Sequence, residues 1–191
     1  MAPRIGGVRL VHDGWARYLV AEVMQEDGTR ITREIEDHGR AVAVLPYDPD
    51  RRVATLVSQF RAPVLYASGP SSHLEVPAGL LDEGLPEDEA RREAMEETGL
   101  RLGQLDFVSS AWSMPGISTE RMDLFLAAYR EADRTGAGGG LASESEAVAV
   151  HEIPLPELAA MGRRGALTDM KSLVLLFALQ LRRPDLFTGA G

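Results

Sequence analysis

The chain has 191 residues, with 29 acidic residues against 20 Lys and Arg, and a formal charge of −9 at pH 7. At 45% hydrophobic and 26% charged residues, its composition is that of an ordinary globular protein able to bury a core. Having no cysteine excludes disulfides, zinc–thiolate sites and cysteine nucleophiles, and the acidic balance argues against a nonspecific nucleic-acid binder.

The first segment, Met1 to Gly7, lacks the apolar core of a signal peptide, so the cytoplasm is the expected compartment. Val8–Leu10, Tyr18–Met24 and Ile31–Ile35 read as strands, with Asp27-Gly28 as the hairpin signal between the last two. Ala41 to Leu45 is continuously apolar, as a strand buried on both faces would be. Pro46–Arg52 reads as a polar turn, Val53–Val57 as a strand, and Ala62–Ser72 as a loop. Pro86 to Thr98 is a helix, with proline at its first position and Gly99 where a left-handed cap is wanted. Strands return at Leu105–Ser109, Met122–Tyr129 and Ala147–Ile153. Helices follow at Pro156–Met161 and Asp169–Leu181. The last is apolar almost all round and belongs in the core or at a subunit interface, while its longest apolar run, Leu173–Leu179, is too short to cross a membrane. This order predicts an α+β protein with a mixed sheet in an α/β/α sandwich.

The chemistry concentrates in the helix over 86–98. Residues three and four apart share a helix face, so Glu93, Glu96 and Glu97 project together, with Glu89 one turn earlier. Like charges at that spacing repel, and a hard divalent cation such as Mg²⁺ would relieve the repulsion while holding substrate phosphate oxygens. A plain solvated face is the competing reading. Arg61, after the strand over 53–57, could clamp a phosphate bidentately or form a surface salt bridge. Glu120 could touch substrate or metal, or be a plain loop glutamate. The aromatics Tyr18, Phe60, Tyr66 and Trp112 could stack on a base, with core packing as the alternative, and His38 receives no catalytic role.

The stretch from Gly79 to Leu100 resembles the Nudix box, G-x5-E-x7-R-E-U-x-E-E-x-G-U. Arg92, Glu93, Glu96, Glu97, Gly99 and Leu100 fall in register, with Ala94 as the apolar residue. The first half departs: Leu85 stands where the pattern has its isolated glutamate, and the spacer to Arg92 is one residue short. Further similar segments are Thr32 to Gly39, Gln59-Phe60-Arg61, Pro77 to Asp82, Met114-Pro115-Gly116 and Asp169 to Ser172. Together they resemble the nucleotide-sugar pyrophosphatase branch of the Nudix hydrolases, in its GDP-mannose or ADP-ribose pyrophosphatase forms.

The resemblance implies a Nudix α/β/α sandwich over residues 41–191, preceded by a small antiparallel β-region over 1–40 that builds a homodimer. It implies Mg²⁺, with Mn²⁺ as an alternative, held by Glu93, Glu97, Glu96 and the main-chain carbonyl of Ala78, with Arg92 orienting the carboxylates. It places the catalytic base at Glu144 and a helper or metal contact at Glu146, after the glycines Gly138–Gly140, which are expected to be flexible, with a solvated linker as the competing reading. The implied reaction is hydrolysis of a nucleoside diphosphate sugar to nucleoside monophosphate and sugar phosphate, GDP-mannose being preferred and ADP-ribose the alternative. Leu85 keeps a further option open, a regulatory Nudix module with little turnover, and an α+β structural protein with an incidental acidic helix is the last.

Overall fold

Strand-forming sequence at the N-terminus builds an antiparallel meander of β1 (Arg4–Asp13), β2 (Arg17–Met24) and β3 (Arg30–Asp37), in that spatial order. Gly28, at φ +86°, turns the second hairpin, and the Thr29 N–H donates to Asp27 Oδ1 at 2.8 Å. The structure is a computed structural model and describes residues 2–69, 72–81, 83–141 and 147–188. Every residue of β1 is exposed, including Ile5, Val8, Leu10 and Val11.

A second, mixed sheet follows. Its strands β4 (Arg40–Asp48), β5 (Val53–Gln59), β8 (Asp106–Trp112), β9 (Arg121–Ala128) and β10 (Ala149–Pro154) lie in the order β10-β5-β4-β9-β8. Short strands β6 (His73–Glu75) and β7 (Ala78–Leu81) pair with β5 and β4. Only β4 and β9 run parallel, among the described residues. Strand β4 is buried on both faces, as its unbroken apolar run requires. Val42 and Val44 join Ala90, Ala94 and Leu100 of helix α2 (Pro86–Thr98) and the residue after its cap. Ala43, Leu45 and Tyr47 join Leu155 and Leu158 of α3 (Leu155–Arg163) and Leu175, Leu176 and Leu179 of α4 (Met170–Arg182). The sheet is therefore sandwiched between helix layers, as expected from the order of elements.

Hydrogen bonds at the end of β3 tie the meander to this body. Glu36 N–H donates to the Ile117 carbonyl at 2.8 Å and its own carbonyl accepts from Thr119 N–H at 2.9 Å. Thr119 Oγ1 donates to Asp37 and accepts from the His38 N–H.

Two segments differ from the sequence reading. The expected turn over 46–52 is shorter, because β4 runs on to Asp48. Tyr47 is buried and its carbonyl accepts from Tyr129 N–H, while the Asp48 carboxylate makes the turn by accepting from Asp50 and Arg51 N–H. Part of the expected loop over 62–72 is a helix, α1 (Ala62–Ser68), with Pro63 in its first turn. It buries no residue, so no hydrophobic periodicity could announce it. Among the described residues no helix is long and apolar enough to cross a membrane.

Candidate active site

Strand β7 and helix α2 pack against each other, which sets the α2 carboxylates beside the β7 main chain. Small residues Ala90 and Ala94 let α2 approach the sheet closely, which buries Glu97 until 2% of it is exposed. Its carboxylate accepts from the Ala78 N–H at 3.3 Å and from Gln59 Nε2 at 3.4 Å. Glu93 lies against Gly79 so closely that a Cβ there would stand 1.9 Å from Glu93 Oε1. Arg92 bonds to Glu89, Glu93 and Glu96, tying three of the helix carboxylates together. The Glu89 hydrogen bond first, then those neighbours, raise the Arg92 guanidinium above its ordinary pKa against the cost of burial. Leu85 caps the start of α2 in extended conformation with its side chain exposed.

Ala78 and Gly79 also line a cleft of about 380 Å³, with Trp15, Arg61, Glu120 and Lys171 among its walls. Glu75, 1% exposed, lines it too and accepts from Arg61 Nε at 2.8 Å and Lys171 Nζ at 2.5 Å. Lys171 donates again to Asp169 at 2.9 Å, and Asp169 caps α4 by accepting from Ser172 N–H. Burial pushes the Glu75 carboxyl up, but the Arg61 hydrogen bond and the Lys171 charge outweigh it and hold the group below its ordinary value. Glu75 is thus ionised at neutral pH, and both cations are held in fixed directions at the cleft.

The structure brings Arg61, Glu120 and Ala78 to the cleft, and Glu93 and Glu97 to the strand that forms its wall. Glu96 turns to Arg92. Glu144 and Glu146 lie outside the described residues. The glycines expected to be a flexible lead-in are instead docked by hydrogen bonds, Gly139 and Gly140 donating to α2 carbonyls. Sequence reasoning gave no role to Glu75, Lys171 or Trp15. The similar segment Asp169 to Ser172 was the one available signal for Lys171.

Among the described residues no three His, Asp or Glu side chains converge to hold a metal ion by themselves. The hard oxygens that do stand together are those of Glu93 and Glu97 beside the Ala78–Gly79 main chain. That set suits Mg²⁺, which usually takes one or two carboxylates and completes its shell with water and substrate phosphate.

The layered fold thus sets an acidic helix against a strand that lines a cation-bearing cleft. Residues 37–170 match the NUDIX domain family, and the chain belongs to it as a Nudix hydrolase. It is 38% identical over 169 residues to a GDP-mannose pyrophosphatase of Cronobacter sakazakii, covering 87% of each chain. A GDP-mannose pyrophosphatase of Pectobacterium atrosepticum is 37% identical over 174 residues, covering 88% of this chain and 89% of that one. Among solved structures, an ADP compounds hydrolase superposes with a TM-score of 0.78 at 19% identity, over 97% of this chain and 96% of that one. This last likeness shows the shared fold.

Proposed function

We propose that the protein hydrolyses the pyrophosphate bond of a nucleoside diphosphate sugar, with GDP-mannose as the preferred substrate. The observation that carries this reading is the double role of Ala78–Gly79, which line the cleft and also touch Glu97 and Glu93. A diphosphate in the cleft would meet Arg61 and Lys171 on one side of that strand and the α2 carboxylates at its main chain. The names of the relatives at 37–38% identity support the choice of sugar nucleotide.

Glu93, Glu97 and the Ala78 carbonyl would hold Mg²⁺, with Arg92 orienting the carboxylates and Glu96 as a third or water-bridged ligand. When bound, the ion supplies the positive charge that neutralises the diphosphate. Arg61 orients a phosphate, and Glu120 contacts the substrate from the opposite wall. Glu144 takes the proton from the attacking water, assisted by Glu146. Water oxygen joins one phosphorus, the bridging P–O bond breaks, and nucleoside monophosphate and sugar phosphate leave.

Residues 1–40 form a separate dimerisation region in this reading, since β1 offers an open edge and exposed Ile5, Val8, Leu10 and Val11 to a second copy. The compartment is the cytoplasm. The deciding experiment incubates the protein with Mg²⁺ and GDP-mannose, ADP-ribose, UDP-glucose or NADH in ¹⁸O-water. GDP-mannose is expected to be cleaved fastest, to GMP and mannose 1-phosphate, with label in one of them. Release of free mannose, or no turnover of any of the four, would overturn the assignment; faster ADP-ribose cleavage would move it to the other substrate.

A further inference from the structure

An α-helix leaves its last four carbonyls without intrahelical donors. In α2 these belong to Met95, Glu96, Glu97 and Thr98, and each has a partner. Gly99 N–H donates to Met95 at 2.9 Å, Gly140 N–H to Glu96 at 3.1 Å and Gly139 N–H to Glu97 at 2.9 Å. Arg134 Nη1 donates to Thr98 at 2.8 Å. Three of the four donors come from the loop between β9 and β10. That loop is anchored to the sheet, because Arg134 Nη2 bonds Glu152 of β10 at 2.7 Å and the Gly139 carbonyl accepts from Val148 N–H at 3.3 Å.

The glycine run is what makes this contact feasible. Gly138, Gly139 and Gly140 have φ of +68°, +112° and +77°, a left-handed succession that side chains disfavour. A Cβ on Gly138 would stand 2.3 Å from the Glu97 carbonyl oxygen and 2.6 Å from the Thr98 Cα, main-chain atoms that cannot swing aside. Gly136 of the same loop is different: its Cβ would have an ordinary 3.7 Å contact with Gly99 Cα. Arg134 also sets a positive charge at the negative end of the helix that carries Glu96 and Glu97.

We infer that Arg134 and Gly138–Gly140 are positioning residues of the catalytic centre. By closing the final turn of α2 against the sheet, they fix the roll of that helix and hence the seating of Glu93 on Gly79 and Glu97 on Ala78. None of them lines the cleft. The inference rests on the reading of those carboxylates as metal-holding groups.

The test compares wild type with Gly138→Ala, Arg134→Met and the control Gly136→Ala, reading Mn²⁺ binding directly from the EPR signal of the free ion. Gly138→Ala and Arg134→Met are expected to weaken Mn²⁺ binding about 10-fold or more, the usual scale for losing a partner that orients a ligand. At saturating metal, KM for GDP-mannose should stay within about twofold, which separates positioning from substrate contact. Gly136→Ala should match wild type. Should Gly138→Ala fail to fold, Arg134→Met decides alone. Wild-type Mn²⁺ affinity in whichever of the two variants folds would overturn the inference. Absence of Mn²⁺ binding in the wild type would instead remove the metal reading. The inference, which rests on that reading, falls with it.

Discussion

Gly79→Ala tests the seating of one carboxylate with a single methyl group. Gly79 has no positive φ, so alanine fits its backbone, and the new Cβ would stand 1.9, 2.2 and 2.7 Å from Glu93 Oε1, Cδ and Cγ. All three atoms belong to a flexible side chain, so Glu93 swings away and the fold survives. To restore an ordinary contact of about 3.4 Å, the carboxylate must retreat by about 1.5 Å. Such a rotamer change costs the folded state on the order of 1 kcal/mol, or a few degrees in Tm for a chain this size. Catalysis is far more sensitive, since a misplacement of about 1 Å can cost 10²-fold. The expected result is therefore a kcat about 100-fold below wild type, equivalent to about 2.7 kcal/mol of barrier. Tm should change little, and the Mg²⁺ concentration for half-activity should rise. The assay is steady-state release of GMP across a Mg²⁺ series, run beside thermal unfolding. Wild-type turnover in a folded Gly79→Ala protein would show that the position of the Glu93 carboxylate does not matter to the reaction.

Glu97→Gln is expected to lower turnover at least ~100-fold, the scale for losing a key electrostatic group. Because glutamine fills the same buried volume, its Tm should stay within about 5 °C of wild type. For Glu144→Gln the expectation is a fall in kcat with substrate affinity little changed; an effect confined to KM would make it a binding group. Acid stability follows from Glu152, whose carboxyl is held down to about 2 by Arg51 first, then Arg134 and Tyr129. A carboxyl lowered on folding stabilises above its unfolded pKa and loses that contribution as pH falls through its folded value. The Tm gap between wild type and Glu152→Gln should therefore be full at neutral pH and shrink between about pH 4.5 and pH 2, and a gap that widened over that range would contradict the assignment.

The sequence was most legible where one residue pattern had one physical solution. Ala41–Leu45 could be buried only on both faces, and it forms the centre of the sheet. Pro86 and Gly99 bracketed α2 because a proline start and a left-handed cap are local requirements, met at both ends. Helix α1 carried no such pattern, since Leu65 and Tyr66 face solvent and nothing in it is buried. The cleft was hidden for another reason. Glu75 and Lys171 are 96 positions apart, and only the pairing of β6 with β5 and the capping of α4 bring them together. Gly138–Gly140 read as flexible because composition reports the freedom of a glycine run, not the close approach that freedom permits.

The charges then impose a division of labour. The protein carries −9, and its cleft pairs Arg61 and Lys171 with Glu75 and Asp169, so these four groups sum to zero. Nearby, Arg92 bonds Glu89, Glu93 and Glu96, and Glu97 adds another negative charge. A diphosphate approaching this wall meets cations that are aimed but locally balanced, backed by surplus carboxylate. On the proposed reading Arg61 and Lys171 would therefore orient phosphates rather than attract them from solution. Glu75 keeps those two side chains from collapsing elsewhere when the cleft is empty of substrate. Net attraction would then draw on a positive charge beyond these four side chains. On the proposed reading the divalent ion must accordingly contribute to substrate affinity as well as to rate, while the acidic helix that repels the substrate alone becomes the means of holding it.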